Sequence, residues 1–155
     1  MKVEDKINEL GLSLLPVIKP VANYIPAVRT GNLVFLSGHG PFKEGGGLIT
    51  GKVGVELSPE QGYEAARRTT LALLTSLKAE IGDLDRVKRI VKLLGMVNCS
   101  ADFTDQPKVI NGASDLLVEL FGDKGKHARS AVGLNALPMN MSVEIEMIVE
   151  VEDDG

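Results

Sequence analysis

The sequence predicts an α+β fold with elements in the order ββ, α, β, α, ββ, and three observations carry that reading. Two segments repeat apolar residues at helical spacing between a start signal and a glycine stop. Short apolar runs suited to strands lie before, between and after them. Glycine and proline clusters at Pro16–Pro26, Gly31, Gly38–Gly54 and Pro138 separate these segments. At 155 residues, 44% hydrophobic and 25% charged, the chain fits one compact soluble domain over residues 1–155.

A short helix is expected at about Val3–Leu10, ending at Gly11, before the prolines keep the chain extended. Tyr24–Val28, Gly31-Asn32 and Leu33–Leu36 read as strand, turn and strand. A glycine-rich loop follows from Gly38 to Gly54. Ser58-Pro59-Glu60-Gln61 then starts a helix, with Ser58 as cap, Pro59 at the first helical position and Gln61 as capping-box partner. Ala66, Thr70, Leu73, Leu74, Leu77 and Ile81 continue it, and Gly82 stops it. Val87–Asn98 reads as a strand. Thr104 or Asp105 caps a second helix whose stripe runs from Val109 to Phe121, with Gly122 beyond. Two last strands, about Arg129–Asn135 and Ser142–Val151, flank Pro138.

Alternation along the strands carries a consequence for assembly. It sets Ile90, Leu94 and Met96 against Val91, Leu93 and Val97, and Leu33 and Phe35 against Val34 and Leu36. Both faces of the sheet are then apolar and need cover, while two helices cover one. Either the N-terminal segment folds across the second face or another subunit does. Val3–Ile18 is short for that task, so another subunit is the expectation.

Composition excludes several function classes. A net charge of −4, no tryptophan, two tyrosines and four phenylalanines give little footing for nucleic acid. Lys88, Arg89 and Lys92 cluster but read as a solvated edge. The lone Cys99 forms no internal disulfide and suits a reducing, cytoplasmic setting. No apolar run reaches the roughly 20 residues of a membrane span, and acidic residues before Leu10 argue against a signal peptide. Gly46–Val53 is a near miss for a phosphate loop, lacking the Ser/Thr hydroxyl at Val53 and an immediate helix, so it reads as a flexible loop. His39, His127 and Cys99 lack metal-ligand spacing, and no metal is expected.

Chemistry concentrates in the last two strands. Arg129 sits among small and apolar residues, where a guanidinium needs a partner. An internal salt bridge would satisfy it. So would a small carboxylate ligand, gripped by the guanidinium fork while a glutamate holds a water alongside. Glu144, Glu146 and Glu150 share a strand face and otherwise read as a solvated edge.

The stretch Ala128-Arg129-Ser130-Ala131-Val132, then Leu137-Pro138, then Val143-Glu144-Ile145-Glu146 resembles the C-terminal signature of the Rid (reactive intermediate deaminase, YjgF-like) family. Tyr24, Gly31-Asn32-Leu33-Val34-Phe35-Leu36-Ser37-Gly38, Pro41, Gly82–Lys88 and Asp102-Phe103 follow the same order. The resemblance runs from Tyr24 to Glu150 and leaves residues 1–20 as an N-terminal extension. It implies a chorismate-mutase-like fold, a mixed β-sheet with two long helices on one face, in homotrimers with clefts between subunits. It also implies cofactor-free hydrolysis of reactive 2-imino acids to 2-keto acids and ammonia. In that reading Arg129 binds the substrate carboxylate and Glu144 handles the water. Tyr24, Ser37, Gly38, Asn111 and Ala131 line the substrate site.

Departures from the family pattern bear on activity. Ala131 stands where the best-known deaminases carry cysteine, which is harmless if that residue offers its backbone carbonyl. His39 and His127 replace a glutamine and a proline, and could alter substrate preference or act as acid or base. A simple hairpin of the last two strands would put Arg129 opposite Ile148 and Glu144 opposite Gly133, on the order of 13 Å apart. Either a bulge shifts that register or the site combines two subunits, and the second is preferred. A small-carboxylate-binding trimer without turnover is the alternative function. Ribonuclease activity, a label also attached to the family, fits the acidic composition less well.

Overall fold

The computed structural model describes residues 2–17 and 23–154. Five strands form one sheet in the order β1-β2-β5-β3-β4. They are β1 (Ala27–Thr30), β2 (Leu33–His39), β3 (Val87–Asn98), β4 (Ala128–Leu134) and β5 (Val143–Val151). The helices are α1 (Lys2–Glu9), α2 (Pro59–Ile81) and α3 (Gln106–Phe121). All neighbouring strands are antiparallel except β3 and β4, which run parallel and are joined through α3. This is the mixed sheet with helices expected from the resemblance.

Local sequence explains most boundaries. Ser58 N–H donates to Gln61 Oε1 at 2.8 Å and Gln61 N–H to Ser58 Oγ at 3.1 Å, completing the capping box of α2. The β1–β2 turn carries Gly31 at φ 59°, as the first central position of a type II′ hairpin requires. The first strand starts at Ala27 rather than Tyr24. Pro26 has no N–H for a ladder, and the Ile25 and Pro26 carbonyls are taken by Ser37 Oγ and Ser37 N–H.

Helix α2 buries Leu71, Leu73, Leu74 and Leu77, and α3 buries Ile110, Leu116 and Leu117. Both pack on the sheet face carrying Val34, Leu36, Ile145, Met147, Val149, Leu93 and Val97. Ile90 joins that buried face instead of siding with Leu94, because an irregularity between Ile90 and Lys92 resets the alternation. The segment 2–17 lies along the helix layer. Val3 and Ile7 enter the core, Leu12 and Leu14 pack against it, and Leu15 N–H donates to Thr75 Oγ1 at 2.9 Å. The rest of the predicted extension, residues 18–20 with Pro20, and Met1 lie outside the described residues.

The second face is therefore open over the described residues. Val28 is 50% exposed and Phe35 42% exposed, and Leu94, Met96 and Ile148 are half-buried beside them. Its charged residues correct the sequence reading. Arg89, Lys92, Glu144, Glu146 and Glu150 lie on this face of the interior strands β3 and β5, not on an edge. Lys88 reaches Glu150 at 4.0 Å and Lys92 Nζ donates to Ser130 Oγ at 3.2 Å.

The loop between β2 and α2 is anchored rather than flexible. Isolated bridges tie Phe42 to Leu48, Thr50 to Met141 and Val53 to Cys99. Val53 is fully buried, and Lys52 Nζ donates to Asn98 Oδ1 and to the Asn135 carbonyl. The near-miss phosphate loop thus spends its lysine inside the protein.

Candidate functional site

The sequence-predicted site residues gather in two places. The first is a cleft of about 210 Å³ at the end of β2 and the start of β5, lined by Tyr24, Ser37, Gly38, His39, Ser76 and Glu144 among others. A bulge creates it. Leu36 pairs with Met147 but His39 pairs with Ile145, so Ser37 and Gly38 together oppose Glu146. A Cβ on Gly38 would collide with the Glu144 carboxylate, so glycine is what lets that side chain lie across the strand.

Ser37 Oγ donates to the Ile25 carbonyl at 2.7 Å, holding the chain beside Tyr24. His39 is buried, with Nδ1 at 2.5 Å from the Ser37 carbonyl and Nε2 at 2.7 Å from Ser76 Oγ of α2. Burial holds its pKa below the ordinary histidine value, against the opposing bond to Ser37. Glu144 is half-buried, and burial followed by repulsion from Glu146 pushes its carboxyl pKa up. Such a carboxylate is a stronger base than an exposed one. The rim is apolar and strained: Met139 and Asn140 adopt φ of 55° and 56°, and Met139 is 71% exposed.

The second place is the start of β4 against α3. Arg129 Nη1 donates to Asn111 Oδ1 at 2.8 Å and to Ser114 Oγ at 3.2 Å. Those two bonds occupy both Nη1 hydrogens and leave Nη2 and Nε without a partner among the described residues. No carboxylate there pairs with Arg129 either. Arg29 and Arg86 instead share Asp154 and Arg67 pairs with Glu119, while Arg68 and Arg89, like Arg129, meet no carboxylate among the described residues. The internal salt bridge weighed for Arg129 is thus absent, and its charge is held by neutral groups. Ser114 Oγ also meets His127 Nε2 at 2.9 Å, and His127 Nδ1 lies 2.6 Å from the Gly125 carbonyl. Ala131, two residues beyond Arg129 on the same face, packs against the core.

One chain does not bring Arg129 and Glu144 together. The hairpin register fails because β3 lies between β4 and β5. Arg129 aligns with Leu93 and, beyond it, Met147 rather than Ile148; Glu144 aligns with Met96 and Val132 rather than Gly133. Paired residues share a face, so Arg129 belongs to the helix side and Glu144 to the open side. Glu144 is also three residues farther along β5, about 10 Å. Ser76 and Ser114 escaped the sequence reading. Their signal was a hydroxyl on the apolar stripe of a helix, which becomes informative only once a histidine faces it.

Residues 4–151 match the family model described as "YjgF/chorismate_mutase-like, putative endoribonuclease". The chain belongs to the YjgF/Rid family. The match takes in most of the segment read as an extension. Protein TCP17 of Trypanosoma cruzi is 41% identical over 153 residues, 98% of this chain and 96% of that protein. A 2-iminobutanoate/2-iminopropanoate deaminase of Dermatophagoides farinae is 30% identical over 135 residues, 86% of this chain and 90% of that one. Among solved structures, Atu1372 of Agrobacterium tumefaciens, a protein of unknown function, superposes with a TM-score of 0.91. It is 39% identical and the alignment covers 97% of this chain and 94% of that one. Among the described residues no helix is long and apolar enough to cross a membrane, and no group of three His, Cys, Asp or Glu residues could hold a metal.

Proposed function

We propose that the protein hydrolyses reactive 2-imino acids to 2-keto acids and ammonia, as a homotrimer closed through the open sheet face. The observation that carries this reading is Arg129, whose Nε and Nη2 have no partner among the described residues while Asn111 and Ser114 hold Nη1. That edge of a guanidinium matches a carboxylate with two parallel bonds. In a cyclic assembly, Arg129, Asn111 and Ala131 of one subunit complete the cleft of Tyr24, Ser37, Gly38 and Glu144 in the next. The exposed Val28 and Phe35 and the half-buried Leu94, Met96 and Ile148 support burial of that face.

Chemically, Arg129 fixes the carboxylate and so orients the adjacent C=N carbon. Glu144, its pKa raised, takes a proton from water as the oxygen adds to that carbon. Glu144 returns that proton to the nitrogen, giving a carbinolamine. The carbinolamine's hydroxyl proton then passes to the nitrogen as the C=O bond forms and the C–N bond breaks, releasing ammonia. Net, one imino acid and one water become one keto acid and one ammonia. Generating an imino acid in situ with an amino-acid oxidase and following keto-acid release tests this. Release faster than the buffer background, lost in Arg129→Ala, is expected. Binding of 2-oxobutanoate without turnover would instead favour the carboxylate-binding trimer.

A further inference from the structure

Arg129 does not stand alone: its hydrogen-bond partner Ser114 is itself bonded to His127, and the polarity of that chain can be worked out. The Gly125 carbonyl can only accept, so the His127 nitrogen beside it, Nδ1, carries a proton. A neutral imidazole then has a bare lone pair at Nε2, and Ser114 must donate its hydroxyl hydrogen there. That leaves the Ser114 oxygen as an acceptor toward Arg129. The bonds run one way, Arg129 to Ser114 to His127 to Gly125.

We propose that His127 and Ser114 are positioning residues for the carboxylate-binding arginine, a relay that holds Nη1 so that the Nε/Nη2 edge of Arg129 faces the ligand. The inference rests on the carboxylate-binding reading of Arg129. Its requirement is a neutral His127 in the Nδ1–H form, the opposite of the tautomer free histidine favours in water. A protonated His127 would present an N–H to Ser114, which would then accept from two cations at once, and the grip on Arg129 would loosen. The surroundings oppose that charge. Burial, ahead of the neighbouring Arg129, keeps the His127 pKa below its ordinary value, while the Gly125 bond pulls the other way. Arg129 on β4 is the charge that acts on the ring. Arg89 of β3 and Lys126 line a surface pocket with His127, Lys126 is paired with Asp123 at 3.2 Å, and α3 presents the Ser114 hydroxyl to the ring.

His39 repeats the pattern in the other half of the site. Its Nδ1 faces the carbonyl two residues before it and its Nε2 faces a serine on the packed helix. There the serine serves no arginine.

The test combines tautomer, binding and pH dependence. Long-range proton–nitrogen NMR at pH 7.5 should show His127 neutral with its proton on Nδ1. An Nε2–H or charged ring overturns the relay. By calorimetry with 2-oxobutanoate, Ser114→Ala should bind about tenfold more weakly than wild type. His127→Gln, whose amide oxygen replaces Nε2 as acceptor, should stay within about threefold at pH 7.5. Wild-type affinity should also fall as pH drops through the His127 titration followed by NMR, and His127→Gln should lose that component. Any component that persists in His127→Gln and vanishes in Glu144→Gln belongs to Glu144. Undiminished binding by Ser114→Ala, or an unchanged acid dependence in His127→Gln, overturns the proposal. Should wild type bind no 2-oxobutanoate, the carboxylate reading falls, and the Arg129 side-chain nitrogen signals decide the relay. Ordered signals in wild type that average out in Ser114→Ala support it; identical signals refute it.

Discussion

The two halves of the candidate site differ in what each lacks. The β2–β5 half has walls, volume and a carboxylate of raised pKa, but among the described residues no cationic side chain lines it. The β4–α3 half has a charged fork held on two bonds, with the small strand residues Ser130 and Ala131 following Arg129. A cleft without a counter-charge cannot orient an anion, and an arginine without a cleft cannot exclude water. The difference teaches that one subunit carries both ingredients yet keeps them on opposite faces of its sheet. Association of copies is then part of the proposed chemistry.

Breaking the assembly should break both halves together and have the largest effect. Phe35→Lys replaces an exposed apolar ring of the open face with a charge that the assembly would have to strip of water. Light scattering should show wild type near three subunits and the variant near one. Circular dichroism should stay native, and turnover should drop to background. A trimeric, active Phe35→Lys protein would contradict the shared site.

Arg129→Ala attacks one half only. Turnover at low substrate should fall about 100-fold or more, with assembly unchanged, because two charge-assisted bonds are lost. Arg129→Lys should recover little of it, since an ammonium cannot offer the paired edge. Glu144→Gln attacks the other half, and its signature should be kcat rather than KM: a loss of about 100-fold with 2-oxobutanoate binding retained. A variant in which KM rose and kcat held would reverse the roles assigned to the two halves.

Gly38→Ala sharpens the comparison without removing a functional group. The added methyl must push the Glu144 carboxylate aside, so about a tenfold loss in kcat is expected with Arg129-dependent binding intact. The smallest effect concerns stability. Glu144 has a raised pKa in the folded chain, so it favours folding most when protonated. That contribution is present below the ordinary carboxylate value and is lost as pH rises through the raised one. Glu144→Gln should therefore melt slightly higher than wild type at pH 7.5 and no higher at pH 4, by thermal denaturation.

Much of the fold was legible because local rules decide it. Ser58 and Gln61 form the box their spacing announces, Gly82 ends α2, and the apolar run Val87–Asn98 is β3 from end to end. What failed was non-local. Neighbouring strands in sequence suggested a β4–β5 hairpin, yet β3 intervenes because α3 carries the chain across to a parallel pairing. The face of Ile90 was misread because a bulge leaves no mark on a hydrophobic pattern. At the site, Arg129, Asn111, Tyr24 and Glu144 were readable as residue types in a family-like order. Their division between two faces was not, since a face assignment depends on strand register. Ser76 and Ser114 were silent because a serine acquires direction only from the group across from it.

The sheet order also sets a schedule for the newborn chain. Strand β5 is the last of the five to leave the ribosome, yet it is the middle strand, inserted between β2 and β3. Until residues 143–151 emerge, β2 and β3 each present an unpaired, apolar rim to the surrounding solution. Completing the sheet depends on contacts spanning more than a hundred positions, from Leu33 to Glu150, which slows folding and prolongs exposure to aggregation. Loss of β5 would cost far more than nine residues: it would leave two half-sheets held together only through the helix layer.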